Sequence, residues 1–307
     1  MKVKKLFAYL VISFFLLIHV KAQEIIIISK VDNEIITNID IEIEKKYLLL
    51  LNNNLEKLSK KEFFDLAKNS LVREIVKKKE IKKYLKNISI NENKIIEDFY
   101  KRVGFIEEKE FKKFLNKKNI NFKILKKKLI IEAVWNQIIY SKFNNKIKID
   151  KDLIKKEIIN YYNSKDKKFE YNISEIVIDI EKDIDFKKKE ILNHIKKFGF
   201  KITANKYSKS DTSKYGGEIG WIKGTRLSKK IKNKISKVKI GEVTDPIQTP
   251  NGYLFLKLNN KKEIKEKLDL NKELKQQIKF ETNRQLNQYS FNYYKKLKKN
   301  TSIYENK

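Results

Sequence analysis

Gly216-Gly217-Glu218-Ile219-Gly220-Trp221, then Gly241-Glu242-Val243-Thr244-Asp245-Pro246-Ile247, then Thr249-Pro250-Asn251-Gly252-Tyr253, is the stretch on which the fold turns. Seven of the chain's eight glycines lie between residues 199 and 252, and its two prolines stand at 246 and 250. Turn chemistry gathered in one stretch of a 307-residue chain marks a compact mixed α/β unit. Gly216 and Gly217 permit positive φ at a tight entry to a strand, and Gly220 permits close approach of backbone or ligand. Asn251-Gly252 is a hairpin signal. Strands are expected at Tyr171–Ile180, Ile219–Ile222, Pro246–Thr249 and Tyr253–Leu258, with helices at Phe186–Phe198 and Leu227–Lys237. No Gly-Lys-Ser/Thr loop or Gly-x-Gly-x-x-Gly fingerprint is present, so these glycines do not read as a nucleotide cradle.

Outward from that unit the chemistry changes. Before the lysine-rich linker at Asn163–Lys168 the chain has one glycine, Gly104, and no proline. Glu24–Lys30 and Glu34–Thr37 form a hairpin around Asp32-Asn33, and Thr37 or Asn38 caps a helix running to about Leu51. Ser59-Lys60-Lys61-Glu62 is a capping box opening a helix to about Leu85. Further helices are expected at Glu92–Val103, Glu107–Asn116, Phe122–Phe143 and Asp150–Tyr162. After Asn260, the stripe Leu270, Leu274, Ile278, Leu286, Tyr289, Tyr293 and Leu297 predicts one long helix. A lone helix cannot bury that face, so it is expected to pack on the N-terminal helices, with Thr301–Tyr304 adding a third strand to the hairpin. The fold class is therefore α+β, with a helical module drawn from both ends of the chain around one small antiparallel sheet flanked by helices.

Composition narrows the function. With no Cys there is no disulfide, zinc-thiolate site or cysteine nucleophile, and the histidines are His19 and His194 alone, so no metal and no cofactor is expected. A net charge of +32 suggests nucleic acid, but four of the 71 basic residues are Arg, the residue whose fork suits phosphate. A solvated lysine surface is the better reading, and nucleic-acid binding a distant third hypothesis. Residues 1–22 read as a cleavable export signal: Lys2, Lys4 and Lys5 precede the apolar run Leu6–Val20, and Val20-Lys21-Ala22 places small residues at the cleavage positions. Fifteen apolar residues are few for a membrane span, which takes about 20. Cleavage after Ala22 removes four Lys and leaves 67 basic residues against 39 acidic ones, a net +28 in a periplasmic chain.

With Tyr207-Ser208 in front of them, the glycine blocks resemble the parvulin class of peptidyl-prolyl isomerases in order and spacing, from Tyr171 to Asn260. The surrounding architecture is similar to the SurA family of exported chaperones, in which helical arms embrace one or two such units; this chain has room for one. The resemblance implies four segments: a signal at 1–22, a helical chaperone module at 23–165, a parvulin-like unit at 170–260 and a C-terminal helix at 264–307. It implies a proline pocket from Ile219, Leu227 and Ile231 with Thr249 on its wall, and a polar site at the positions of Glu175, Ser210, Thr249 and Leu254. The family places histidines where this chain has Glu175 and Leu254, and a Cys or Asp where it has Ser210. A buried Glu175 needs a partner, and Ser210 or Thr249 is expected to serve. His194 is expected at a surface or boundary.

The resemblance thus implies a chaperone for unfolded or extended polypeptides, outer-membrane β-barrel proteins above all, gripped in a cradle between the two modules and with weak isomerase activity. A fully active prolyl isomerase is the alternative.

Overall fold

The computed structural model describes residues 24–84, 88–164, 167–180, 183–249, 252–265 and 267–305. The export signal, and Pro250-Asn251 of the hairpin, lie outside them.

The chain starts with β1 (Ile27–Val31) and β2 (Glu34–Thr37), paired antiparallel, and β7 (Ile303–Glu305) returns from the far end of the chain to pair with β1. The third strand predicted at Thr301–Tyr304 thus forms, starting two residues later and ending one residue later. Thr37 caps α1 (Asn38–Leu51) in a capping box with Asp40, and Ser59 caps α2 (Lys60–Ile81) in the box read from the sequence, each side-chain oxygen satisfying an amide the helix leaves unpaired. There follow α3 (Glu92–Arg102), α4 (Glu108–Lys117), α5 (Phe122–Phe143) and α6 (Lys151–Asn163). Val31, Ile36, Ile41, Leu48 and Val72 build one core of this module, and Phe99, Phe111, Leu115 and Leu125 another.

The second unit is a four-stranded antiparallel sheet in the order β4-β3-β6-β5: β3 (Phe169–Ile178), β4 (Glu218–Lys223), β5 (Ile247–Thr249) and β6 (Gly252–Glu263). β3 alternates. Ile176 and Ile178 meet Phe255 on one face, under α7 (Ile184–Phe198) and α8 (Phe200–Tyr207). Ile173 and Val177 meet Leu254, Leu256 and Leu258 on the other, under Leu227 and α9 (Lys229–Ile235). The helix α8 was not anticipated; its eight residues are too few for a periodic signal. The helix predicted over Leu227–Lys237 is shorter, because Leu227 is extended and Ser228 supplies the cap.

The 30-residue helix α10 (Leu270–Lys299) packs on α2, α5 and α6, as its stripe predicts, through Leu286, Tyr293 and Leu297, with Trp135 Nε1 of α5 donating to Ser290 Oγ at 2.9 Å. Its first half departs from the stripe. Glu273 and Gln277 are the buried residues there, and both face the sheet unit: Glu273 takes Lys223 and Thr225, and Gln277 donates to the Thr225 carbonyl. These hydrogen bonds join Phe280, which packs on the apolar cluster of the sheet unit, in holding that half, and an apolar pattern does not show them.

Candidate functional site

The face of the sheet beneath α9 carries the residues singled out in the sequence. Glu175, between Ile173 and Val177, pairs with Leu256, and Val177 pairs with Leu254. Glu175 and Leu254 are thus diagonal neighbours on one face, about 7–8 Å apart. Ile247 joins this cluster, and the two-residue alternation of β5 places Thr249 on the same side. Leu227 and Leu254 are buried in the cluster, with Ile219 and Ile231 half-buried against it.

Ile219 arrives by a bulge. Ile173 pairs with Gly220 and Ser174 with Glu218, so Ile219 is left unpaired and its side chain turns onto the apolar face. Gly217, one residue before β4, is backed against β3: a Cβ there would lie 2.2 Å from the Glu175 carbonyl oxygen, at φ +78°. Its carbonyl accepts the Glu175 amide at 2.7 Å. Gly220 is different. A Cβ would meet nothing within 4 Å, so the close approach expected there is absent and the residue answers only to φ +89°.

Tyr207-Ser208 ends α8 and ties the next loop to β3. Ser208 Oγ accepts the Val177 amide at 3.0 Å, and the Lys209 amide donates to the Val177 carbonyl at 2.7 Å. That anchor brings two hydroxyls to Glu175: Ser210 Oγ donates to Oε1 at 2.6 Å and Thr212 Oγ1 at 3.0 Å. The expectation of a Ser210 partner matches this geometry. Thr249 is not the partner, since its hydroxyl donates to the Gly252 carbonyl at 2.9 Å. Thr212 was missed by the sequence reading; its spacing of two from Ser210 in a polar turn was the available signal.

Burial pushes the Glu175 carboxyl above its ordinary range, and Asp211 adds to this; the two hydroxyls oppose it without overcoming it. Among the described residues no cation is within ion-pair distance of the group. A carboxyl met by hydroxyls, with its proton affinity raised by burial, holds a proton more readily than an exposed one. Leu254, diagonal to it, offers shape and no hydrogen bond.

His194 lies elsewhere. It is buried under Phe198 and Tyr207, its Nδ1 2.9 Å from Thr203 Oγ1, which itself donates to the Gly199 carbonyl, and its Nε2 3.6 Å from Glu62 of α2. It is a boundary residue between the two units. Around it the seam is filled: Lys206 donates to Glu62 at 2.6 Å, Asn52 to Asn205 at 2.7 Å, Lys214 to Glu132 at 3.1 Å, and Ile202 enters the helical core. The open cradle expected between the modules is closed along this line.

Three comparisons bear on this geometry. The family model described as Rotamase: PPIC-type PPIASE domain matches residues 176–260. Chaperone SurA of Pseudomonas aeruginosa is 40% identical over 55 residues, 18% of this chain and 13% of SurA. Foldase protein PrsA of Geobacillus kaustophilus is 35% identical over 86 residues, 28% of this chain and 29% of PrsA. The chain thus matches less than a third of the length of these relatives. Among solved structures, one described as SurA-like chaperones of Campylobacter jejuni aligns over 92% of this chain and 99% of that one, at 17% identity and a TM-score of 0.36. A score of that size leaves the arrangement of the two units to be argued from this chain alone. The bulged strand, the hairpin and the glycine turn against β3 fall in the stretch that the family model covers or directly beside Glu175. Residues 176–260 of this chain thus match the PPIC-type parvulin family, and the chain is similar over short stretches to the SurA chaperones and PrsA foldases.

Proposed function

We propose that this chain is an exported foldase that holds extended polypeptides, outer-membrane β-barrel proteins in transit among them, and turns X-Pro bonds slowly. The observation that carries the reading is the sheet face under α9, where an apolar surface of Ile219, Leu227, Ile231 and Leu254 surrounds one hydroxyl-bound carboxyl. Isomerisation crosses a barrier of roughly 18–20 kcal/mol as the amide loses resonance. No covalent step is required. A surface that grips the proline ring and a donor that favours the twisted amide suffice. Half-buried Ile219 and Ile231 beside Leu227 and Leu254 support an apolar part of such a site, and Glu175, Ser210 and Thr212 support a reduced polar part. Binding is therefore the primary task and isomerisation the secondary one, in a periplasmic protein freed of residues 1–22.

The placement of Glu175 among two hydroxyls on that face, with its carboxyl raised by burial, favours a second reading, a fully active isomerase working without imidazole. A protease-free exchange measurement on a proline peptide, paired with aggregation of an unfolded β-barrel protein, decides. The proposed function expects suppressed aggregation with exchange little above buffer. Fast exchange that Glu175→Ala abolishes establishes the second reading, and absence of both activities removes both.

A further inference from the structure

Outside the parvulin domain the helical module contains a cavity of about 220 Å³ between α1, α5 and the turn that joins α4 to α5. Its walls are Ile43 and Tyr47 on one side and Ile120, Ile124 and Leu125 on the other, and exposed Lys46, Asn119 and Asn121 frame an open mouth. The walls are preformed. Asn121 Oδ1 accepts the amides of Lys123 and Ile124 and so starts α5, Asn119 sits at φ +52°, and the Ile120 amide returns to the Leu115 carbonyl at 2.9 Å. An apolar cavity of roughly 150 Å³ takes a benzene ring, so this one has room for a phenyl side chain.

The charge at the mouth has one sign. Lys128, at the inner end, is already neutralised by Glu44 and Glu74. Lys46 reaches only the Asn119 carbonyl, at 3.4 Å, and Lys118 and Lys123 bracket the turn. None of these three has a carboxylate within ion-pair distance among the described residues, and no acidic residue lines the cavity.

We infer that this cavity is a polypeptide-binding subsite that takes one bulky apolar side chain, an aromatic ring by size, from a segment with acidic residues beside it. The inference rests on the reading that the chain holds extended polypeptides, and adds to it a place and a sequence preference independent of proline. A solvent-exposed ion pair is worth about 1.4- to 5-fold in affinity, so Lys46 at the mouth with Lys118 and Lys123 beside the turn select acidic flanks by about threefold or more.

The test uses the whole chain and a blocked pentapeptide, Gly-Glu-Phe-Glu-Gly, with fluorine on the ring so that binding is read by fluorine NMR. Expected are binding at least threefold tighter than Gly-Lys-Phe-Lys-Gly, a preference that shrinks with added salt, and no measurable binding of a Gly-Glu-Ala-Glu-Gly analogue in competition. Lys46→Glu reduces the preference, and Ile124→Trp, which fills the cavity, weakens binding at least tenfold; Ile43→Trp does the same from the opposite wall and guards against misfolding of either variant. Equal binding of the two flanks, or undiminished binding in both filled variants, overturns the inference. Because the peptide has no proline and no β-barrel client is present, peptide binding by a chain that neither suppresses aggregation nor turns prolines would sink the proposed function and leave the subsite standing.

Discussion

Glu175 in the sheet unit and Glu132 in the helical module are both half-buried, and their surroundings treat them oppositely. Burial pushes both carboxyls up. At Glu132 the ammonium groups of Lys77, at 3.0 Å, and Lys214, at 3.1 Å, overcome it and hold the group far below the usual carboxylate range. At Glu175 only hydroxyls oppose burial, and the carboxyl stays raised. A carboxylate between two lysines is locked as an anion and serves to join elements: Lys77 is on α2, Glu132 on α5, and Lys214 comes from the sheet unit. A carboxyl among hydroxyls has its proton affinity raised by burial with no ammonium to cancel it. The first arrangement is structural, the second is the one a ligand site needs.

The largest effect should come from unlocking Glu132. Lys77 is 3% exposed, and Lys77→Met leaves Glu132, itself 28% exposed, with Lys214 alone, a change expected to destabilise by about 3 kcal/mol in urea unfolding at pH 7. Adding Glu132→Leu to Lys77→Met should restore most of this. If the single variant costs under 1 kcal/mol, the pair is not the lock described.

Glycines sharpen the contrast between the regions. Gly217→Ala meets the Glu175 carbonyl oxygen as well as an unfavourable φ and should cost about 3 kcal/mol, whereas Gly104→Ala in the helical module, at φ +95° with nothing within 4 Å, should cost about 1 kcal/mol. Equal losses would mean that packing against β3 contributes nothing.

The seam should respond to acid. Lys206 and the Ser59 cap lower Glu62 from 4.5 to about 2, so the stability from this pair is present above the unfolded-state value and lost as pH falls from about 4.5 to about 2. Lys206→Gln should flatten that part of the stability–pH curve, and an unchanged curve counts against Glu62 as the link.

The smallest effect has the opposite sign. The folded-state value of Glu175 is raised, so its contribution is complete below the unfolded-state value and disappears as pH rises through the folded-state one. Glu175→Gln keeps the acceptor for Ser210 and Thr212 and should gain on the wild type as pH rises from 4 to 8. A parallel pair of curves would show that Glu175 carries no raised proton.

Functional change is read separately. Glu175→His with Leu254→His puts two imidazoles at diagonal positions on one face and should raise proline-peptide exchange at least tenfold, a fraction of the 10²–10³ attributed to one well-placed donor. An unaltered rate would mean that the missing histidines do not limit it.

Much was decided locally and could be read in the sequence. The Ser59-Glu62 capping box, the apolar periods of the helices and the glycine blocks announce elements because each depends on contacts within a few residues. The apolar residues Ile219, Leu227 and Ile231 were legible as a group for the same reason, as pieces of a family pattern. Thr212 was not, because its role exists only where the Ser208 anchor lays the 209–212 loop over β3. The bulge that aims Ile219, the turn of Glu273 and Gln277 toward the sheet unit and the closing of the seam by Lys206, Lys214 and Ile202 also depend on partners tens to hundreds of residues away. Local periodicity reports which side chains seek burial; which charges and hydroxyls meet there, and so whether a carboxyl faces ammonium groups or hydroxyls, is settled only when distant segments come together.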